Sequence, residues 1–203
     1  ELLNWFSNKN PQPVVITANR GRGKSGALGL FVRELLNKKL IAKQQILITA
    51  PSPAATEAIM QRLEGLPAQL LEQVKFIAPD ALLAELPPAK LLLIDEAAAL
   101  PVPLLTAMVK HYPASVFATT QDGYEGNGRG FALRFTGYLT ANYPQLLQLE
   151  LHQPLRWAAH CPLEALINKL LLLQTNLPDP PKLTANQLKQ TVSFSWLNQA
   201  ELA

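Results

Sequence analysis

Residues 17–29 read TANRGRGKSGALG. The stretch nearly matches G-x-x-x-x-G-K-[ST], the pattern of a loop that wraps phosphate groups, but Ala18 stands where the first glycine belongs. Before it, PVVITA (13–18) is an apolar, β-branched run that reads as a buried strand. After it, Leu28, Phe31, Val32, Leu35, Leu36 and Leu40 recur at helical spacing, so an amphipathic helix starts at Lys24. Strand, glycine loop and helix are the setting a phosphate cradle requires, because loop N–H groups converge and the helix dipole adds to them. Gly21 and Gly23 admit the positive φ angles that side chains resist. Ala18 falls at the strand end, where a methyl is tolerated. The expected ligand is therefore a nucleotide held by Arg20, Gly21, Arg22, Gly23, Lys24, Ser25 and Gly26. Lys24 would reach its β- and γ-phosphates and Ser25 would ligate Mg²⁺.

Further strands follow at QQILITA (44–50), VKFIA (74–78), KLLLIDE (90–96), SVFATT (115–120) and QLLQLEL (145–151). A helix carrying Ala55, Ile59, Leu63 and Leu66 on one face separates the first two, and another ends near Tyr112 with Pro101 and Pro103 in its first turn. Strands alternating with helices predict an α/β fold: a RecA-like P-loop NTPase, its sheet mostly parallel with helices on both faces. Leu163, Leu166, Ile167, Leu170 and Leu171 mark a last helix ended by LPDPP (177–181). The expected division is an ATPase domain over 1–176 and a linker with a helix and strand over 177–203.

In LLLIDEAAAL, Asp95 stands at the carboxyl end of an apolar strand, where open α/β sheets bind ligands. It would hold Mg²⁺, commonly through water, and Glu96 would polarise the attacking water as general base. ATTQDGYEGNGRG (118–130) brings another strand end to the same edge. Gln121, or Thr120 beside it, would sense the γ-phosphate if this strand lies between the two motif strands. The glycine-rich loop that follows suits coupling to a partner. Arg129, Arg134 and Arg156 are candidates to neutralise transition-state charge.

Net charge is +3, but residues 1–45 carry eight Lys and Arg against two acids, concentrating positive charge around the opening motif. That distribution suits an anion. The single cysteine, Cys161, excludes an internal disulfide framework and fits a cytoplasmic setting. With His152 and His160 it lacks a fourth ligand for a structural metal. No apolar run reaches the roughly 18 residues that span a bilayer, so no membrane partner is expected. The chain opens without Met and reads as part of something longer.

Together RGRGKSGALG, IDEAAALP, GYEGNGRGFALRF and LHQPLRWAAHCPLE closely resemble the RecD-like ATPase module of the tRNA(Met) cytidine acetyltransferases, over roughly residues 13–175. Members of that family use acetyl-CoA and ATP or GTP hydrolysis to acetylate N4 of a cytidine, in the bacterial enzymes the wobble cytidine of elongator tRNA(Met). The resemblance implies that Gly21 to Ser25 bind phosphates and that Asp95 and Glu96 serve Mg²⁺ and hydrolysis. It makes Arg156 the preferred nucleotide-contacting arginine, with Arg134 second. It also implies tRNA as partner and an acetyltransferase domain in cis, because this chain has no acetyl-CoA loop of the Q/R-x-x-G-x-G/A kind. Gln12 is too near the strand to be the family's adenine-reading glutamine. The expected function is an ATP- or GTP-hydrolysing, RNA-helicase-like module that positions tRNA for acetylation. A stand-alone nucleic-acid-dependent ATPase and a nucleotide-gated docking module without turnover are the rivals.

Overall fold

The computed structural model describes residues 1–8, 10–41, 46–120, 131–155 and 161–170. Its strands are β1 (Val14–Ala18), β2 (Ile46–Thr49), β3 (Val74–Phe76), β4 (Leu91–Ile94), β5 (Ser115–Thr120) and β6 (Leu147–Leu151). They form one sheet in the order β3-β2-β4-β5-β1-β6, with every pairing parallel. The α/β, RecA-like expectation holds, and β5 lies between the strand that enters the glycine loop and the strand that ends in the acids.

Alternation along each strand feeds two cores. Val14, Ile16, Ile46, Ile48, Leu91, Leu93, Val116 and Ala118 pack under helices α1 (Leu2–Phe6), α2 (Lys24–Asn37) and α3 (Glu57–Gln61). On the opposite face, Val15, Leu47, Leu92, Ile94 and Phe117 meet α5 (Pro79–Glu85) and α6 (Val102–His111). The same face takes a π-helical turn, Phe131–Thr136, that runs into α7 (Gly137–Asn142). The short α4 (Ala68–Leu71) packs Leu70 and Leu71 on the first core, and α8 (Pro162–Leu170) comes last among the described elements. Central strands β2 and β4 are buried throughout, which is why they read as unbroken apolar runs. The buried face of α2, Leu28, Phe31, Val32, Leu35 and Leu36, contributes about 1.5–3 kcal/mol per side chain to holding the loop before it.

The helix expected over residues 55–66 is broken. A 3₁₀ turn (Pro53–Thr56) leads into the short α3, and turns follow. Arg33 draws off the carbonyls of Arg62 (2.8 Å) and Glu64 (3.1 Å), and Gly65 adopts φ +80°. The expected face survives: Ile59 and Leu63 are buried and Leu66 packs beside them. Expectations for residues 171–203, including the linker at 177, lie outside the described residues.

Candidate nucleotide site

The glycine loop leaves β1 at Ala18 and ends where α2 begins. Gly21 (φ +74°) and Gly23 (φ +80°) both hold left-handed conformations, and Gly23 is the residue from which α2 starts. This turn is the physical reason for two glycines in RGRGKS. Lys24, the first helical residue, is only 6% exposed, and its Nζ donates to the Ala18 carbonyl at 3.2 Å. Arg20 lies close enough to oppose the Lys24 charge, and Arg22, Ser25 and Gly26 are half-buried around the same turn.

Asp95 completes the site from β4. Its predecessors Leu93 and Ile94 pack on opposite faces of the sheet, so Asp95 falls on the α2 side. Its amide donates to the Thr49 carbonyl (3.0 Å), fixing the strand end, and its Oδ1 accepts the Glu96 N–H at 2.9 Å. The Ser25 hydroxyl approaches the carboxyl and favours its charged form. Asp95 is fully buried, and its Oδ2 has no hydrogen-bond partner among the described residues. A serine hydroxyl beside a partnerless carboxylate oxygen suits a hard, oxygen-seeking cation such as Mg²⁺. Glu96 is half-buried and held at φ +49°, a left-handed conformation that costs a non-glycine residue about 1–2 kcal/mol. Such strain gathers where function demands a particular backbone.

Electrostatics link these groups. Burial pushes the Asp95 pKa up and the Glu96 charge adds to it, against the pull of Ser25, the Glu96 amide and Lys24. Burial likewise lowers the Lys24 pKa, against the opposing pull of Glu96 and Asp95.

The structure therefore brings Lys24, Ser25, Asp95 and Glu96 together. Thr120 pairs with Ala18 at the end of β5, beside the loop. Arg134 is exposed on the π-helical turn, an element packed on the face opposite α2. Gln121, Arg129 and Arg156 lie outside the described residues. Gln12 sits at the amino end of β1, where its Oε1 accepts the Gln145 N–H (2.7 Å). A cavity of about 790 Å³ lined by Gln12, Lys90, Pro113 and Tyr143 opens at that end too, remote from the glycine loop. Leu155 lies in the LHQPLRWAAHCPLE stretch but carried no expected role; its backbone N–H donates to the Gly21 carbonyl at 3.0 Å.

Residues 15–174 match the family described as RNA cytidine acetyltransferase NAT10/TcmA, helicase domain. The chain belongs to this family. Among relatives, the tRNA(Met) cytidine acetyltransferase TmcA of Vibrio cholerae is 43% identical over 98% of this chain and 29% of its own length. The Salmonella typhimurium enzyme of the same name is 36% identical over 99% of this chain and 27% of its own. The chain thus spans less than a third of these relatives. Among solved structures, the Pif1 helicase from Candida albicans is similar at a TM-score of 0.47, with 14% identity over 79% of this chain and 40% of that one. No described helix is long and apolar enough to cross a membrane.

Proposed function

We propose that this chain is the nucleotide-hydrolysing module of a tRNA(Met) cytidine acetyltransferase, binding ATP or GTP with Mg²⁺ and coupling hydrolysis to the positioning of tRNA. One observation carries the nucleotide: buried Lys24 beside the glycine loop and buried Asp95 at the end of β4, its Oδ2 without a hydrogen-bond partner among the described residues, stand together at the carboxyl edge of the sheet. A phosphate chain with its cation supplies an anion to one and a cation to the other. Ser25 and Asp95 would hold Mg²⁺, which when bound neutralises phosphate charge and orients the phosphoryl oxygens. The left-handed turn at Gly21 and Gly23 presents backbone N–H groups to the phosphates, with Arg20, Arg22 and Gly26 around it.

In this reading Glu96 takes the proton of the attacking water as its oxygen bonds to the γ-phosphorus. The bond from the γ-phosphorus to the bridging oxygen breaks, and the charge left on the diphosphate is met by Lys24. Gln121 senses the γ-phosphate, and Arg156, with Arg134 as second choice, supplies transition-state charge. The purpose of the turnover rests on the family and its named relatives. Residues 1–176 would form the ATPase domain, and 177–203 would lead toward an acetyltransferase domain that uses acetyl-CoA.

Lys24→Ala tests the reading. Calorimetric affinity for Mg²⁺-ATP and Mg²⁺-GTP should fall roughly 100-fold, the loss expected when charge-assisted hydrogen bonds to phosphate are removed. Parent-level affinity in this variant would sink the assignment.

A further inference from the structure

The phosphate loop is held from outside by a residue far away in sequence. β6 pairs with β1 in register Ala18↔Leu151, so residues 152–155 leave the sheet beside the loop. There the Leu155 N–H donates to the Gly21 carbonyl at 3.0 Å, and the Leu155 side chain lies over Gly23, with Cδ1 closer than any Cβ at that position could allow. We propose that Leu155 is a positioning residue for nucleotide binding, its N–H and its side chain together holding the Gly21–Gly23 turn in the shape that receives phosphates.

Two physical arguments support this. In a trans peptide the C=O of one residue and the N–H of the next point in opposite directions. Leu155 fixes the Gly21 carbonyl outward and so turns the Arg22 N–H the other way, away from residues 152–155. Gly23 is held at φ +80° at the start of α2, and a leucyl side chain over its bare Cα restricts the freedom glycine would otherwise retain. Leu155 is 68% exposed. A large apolar side chain so little buried adds little to core stability, and its place over the loop is what distinguishes it.

The inference rests on the nucleotide reading, so its test includes Lys24→Ala. Mant-ATP and mant-GTP, each with Mg²⁺, are titrated into the parent, Leu155→Ala, Leu155→Met and Lys24→Ala proteins, with turnover and nucleotide-free melting measured alongside. If the receptive turn falls to a tenth of its population, Leu155→Ala binds roughly tenfold more weakly. The rate at saturating nucleotide should stay near the parent's, and Leu155→Met, which can still cover Gly23, should restore affinity. Melting without nucleotide should shift by about 2 °C or less, as for an exposed site. Parent-level affinity in Leu155→Ala, with binding lost in Lys24→Ala, would overturn the positioning role and leave the phosphate loop standing. Weakened binding with a matching fall in melting temperature, unrescued by Met, would assign Leu155 to packing and overturn it too. Parent-level binding in Lys24→Ala would remove the nucleotide reading itself.

Discussion

The two ends of the sheet treat their polar groups in opposite ways. At the amino end they are closed off: Trp5 Nε1 donates to the Gln12 carbonyl (2.6 Å), Tyr112 OH to the Pro87 carbonyl (2.9 Å) and the Leu147 N–H to the Pro13 carbonyl (3.2 Å). Ser115 Oγ and Gln73 Oε1 are buried without partners there among the described residues, and both groups are neutral. At the carboxyl end, Asp95 Oδ2, Thr49 Oγ1, Thr119 Oγ1 and Asn19 Oδ1 are buried without hydrogen-bond partners among the described residues, and one of them belongs to a carboxylate. The described cavity of about 790 Å³ lies at the satisfied end. Buried polar groups left without partners are the ones a ligand would complete, which is why the proposed site is placed at the carboxyl end.

The sharpest way to break this comparison is to change chemistry at the carboxyl end without changing shape. Glu96→Gln keeps the size of the side chain and removes its capacity to take a proton. Nucleotide affinity by calorimetry should stay near the parent's while the rate of phosphate release falls by roughly 10²- to 10⁴-fold, the usual worth of a general base. A variant that hydrolyses at the parent rate would remove Glu96 from the reaction and leave its backbone strain without a purpose.

Asp95 tests whether the readiness of this end lowers stability. Burial raises its pKa above the unfolded value of 3.8. Between that value and the raised folded one, the native protein keeps a proton the unfolded chain has lost. Stability from this group is therefore fully present below pH 3.8, is lost as pH rises through the folded pKa, and is flat above it. Asp95→Asn removes that descent. Denaturant melts of nucleotide-free parent and variant from pH 4 to 7 should show the parent losing ground to the variant as pH rises. A pH-independent difference, or one that favours the parent with rising pH, would mean the carboxylate is compensated after all.

Much of this contrast could be read before folding was considered. The glycine loop and IDE each sit after a run of Val, Ile or Leu, so their strand ends, and hence one shared edge, follow from burial alone. Ile59 and Leu63 announced their buried face, but the turns after α3 are held by Arg33 taking two of their carbonyls, an interaction no local pattern marks. Helix α5 is only seven residues, too short for its periodicity to stand out. The hold of Leu155 on Gly21 runs through a backbone N–H, which every residue except proline has. The left-handed Glu96 is likewise invisible, since nothing about glutamate favours that conformation.

The smallest expected effect comes from the satisfied end. Tyr112 is 4% exposed, and its hydroxyl reaches Pro87 across the amino ends of β4 and β5. Tyr112→Phe keeps the ring in the core and removes one hydrogen bond, so unfolding free energy in urea should fall by about 0.5–1.5 kcal/mol. Nucleotide affinity should not move, because the lost bond lies at the opposite end of the strands from Lys24 and Asp95. That pairing of outcomes separates the two ends: one loses stability without function, the other trades stability for it. If Tyr112→Phe also weakened Mg²⁺-ATP binding, the strands would be transmitting strain along their length, and the two ends could no longer be treated as independent.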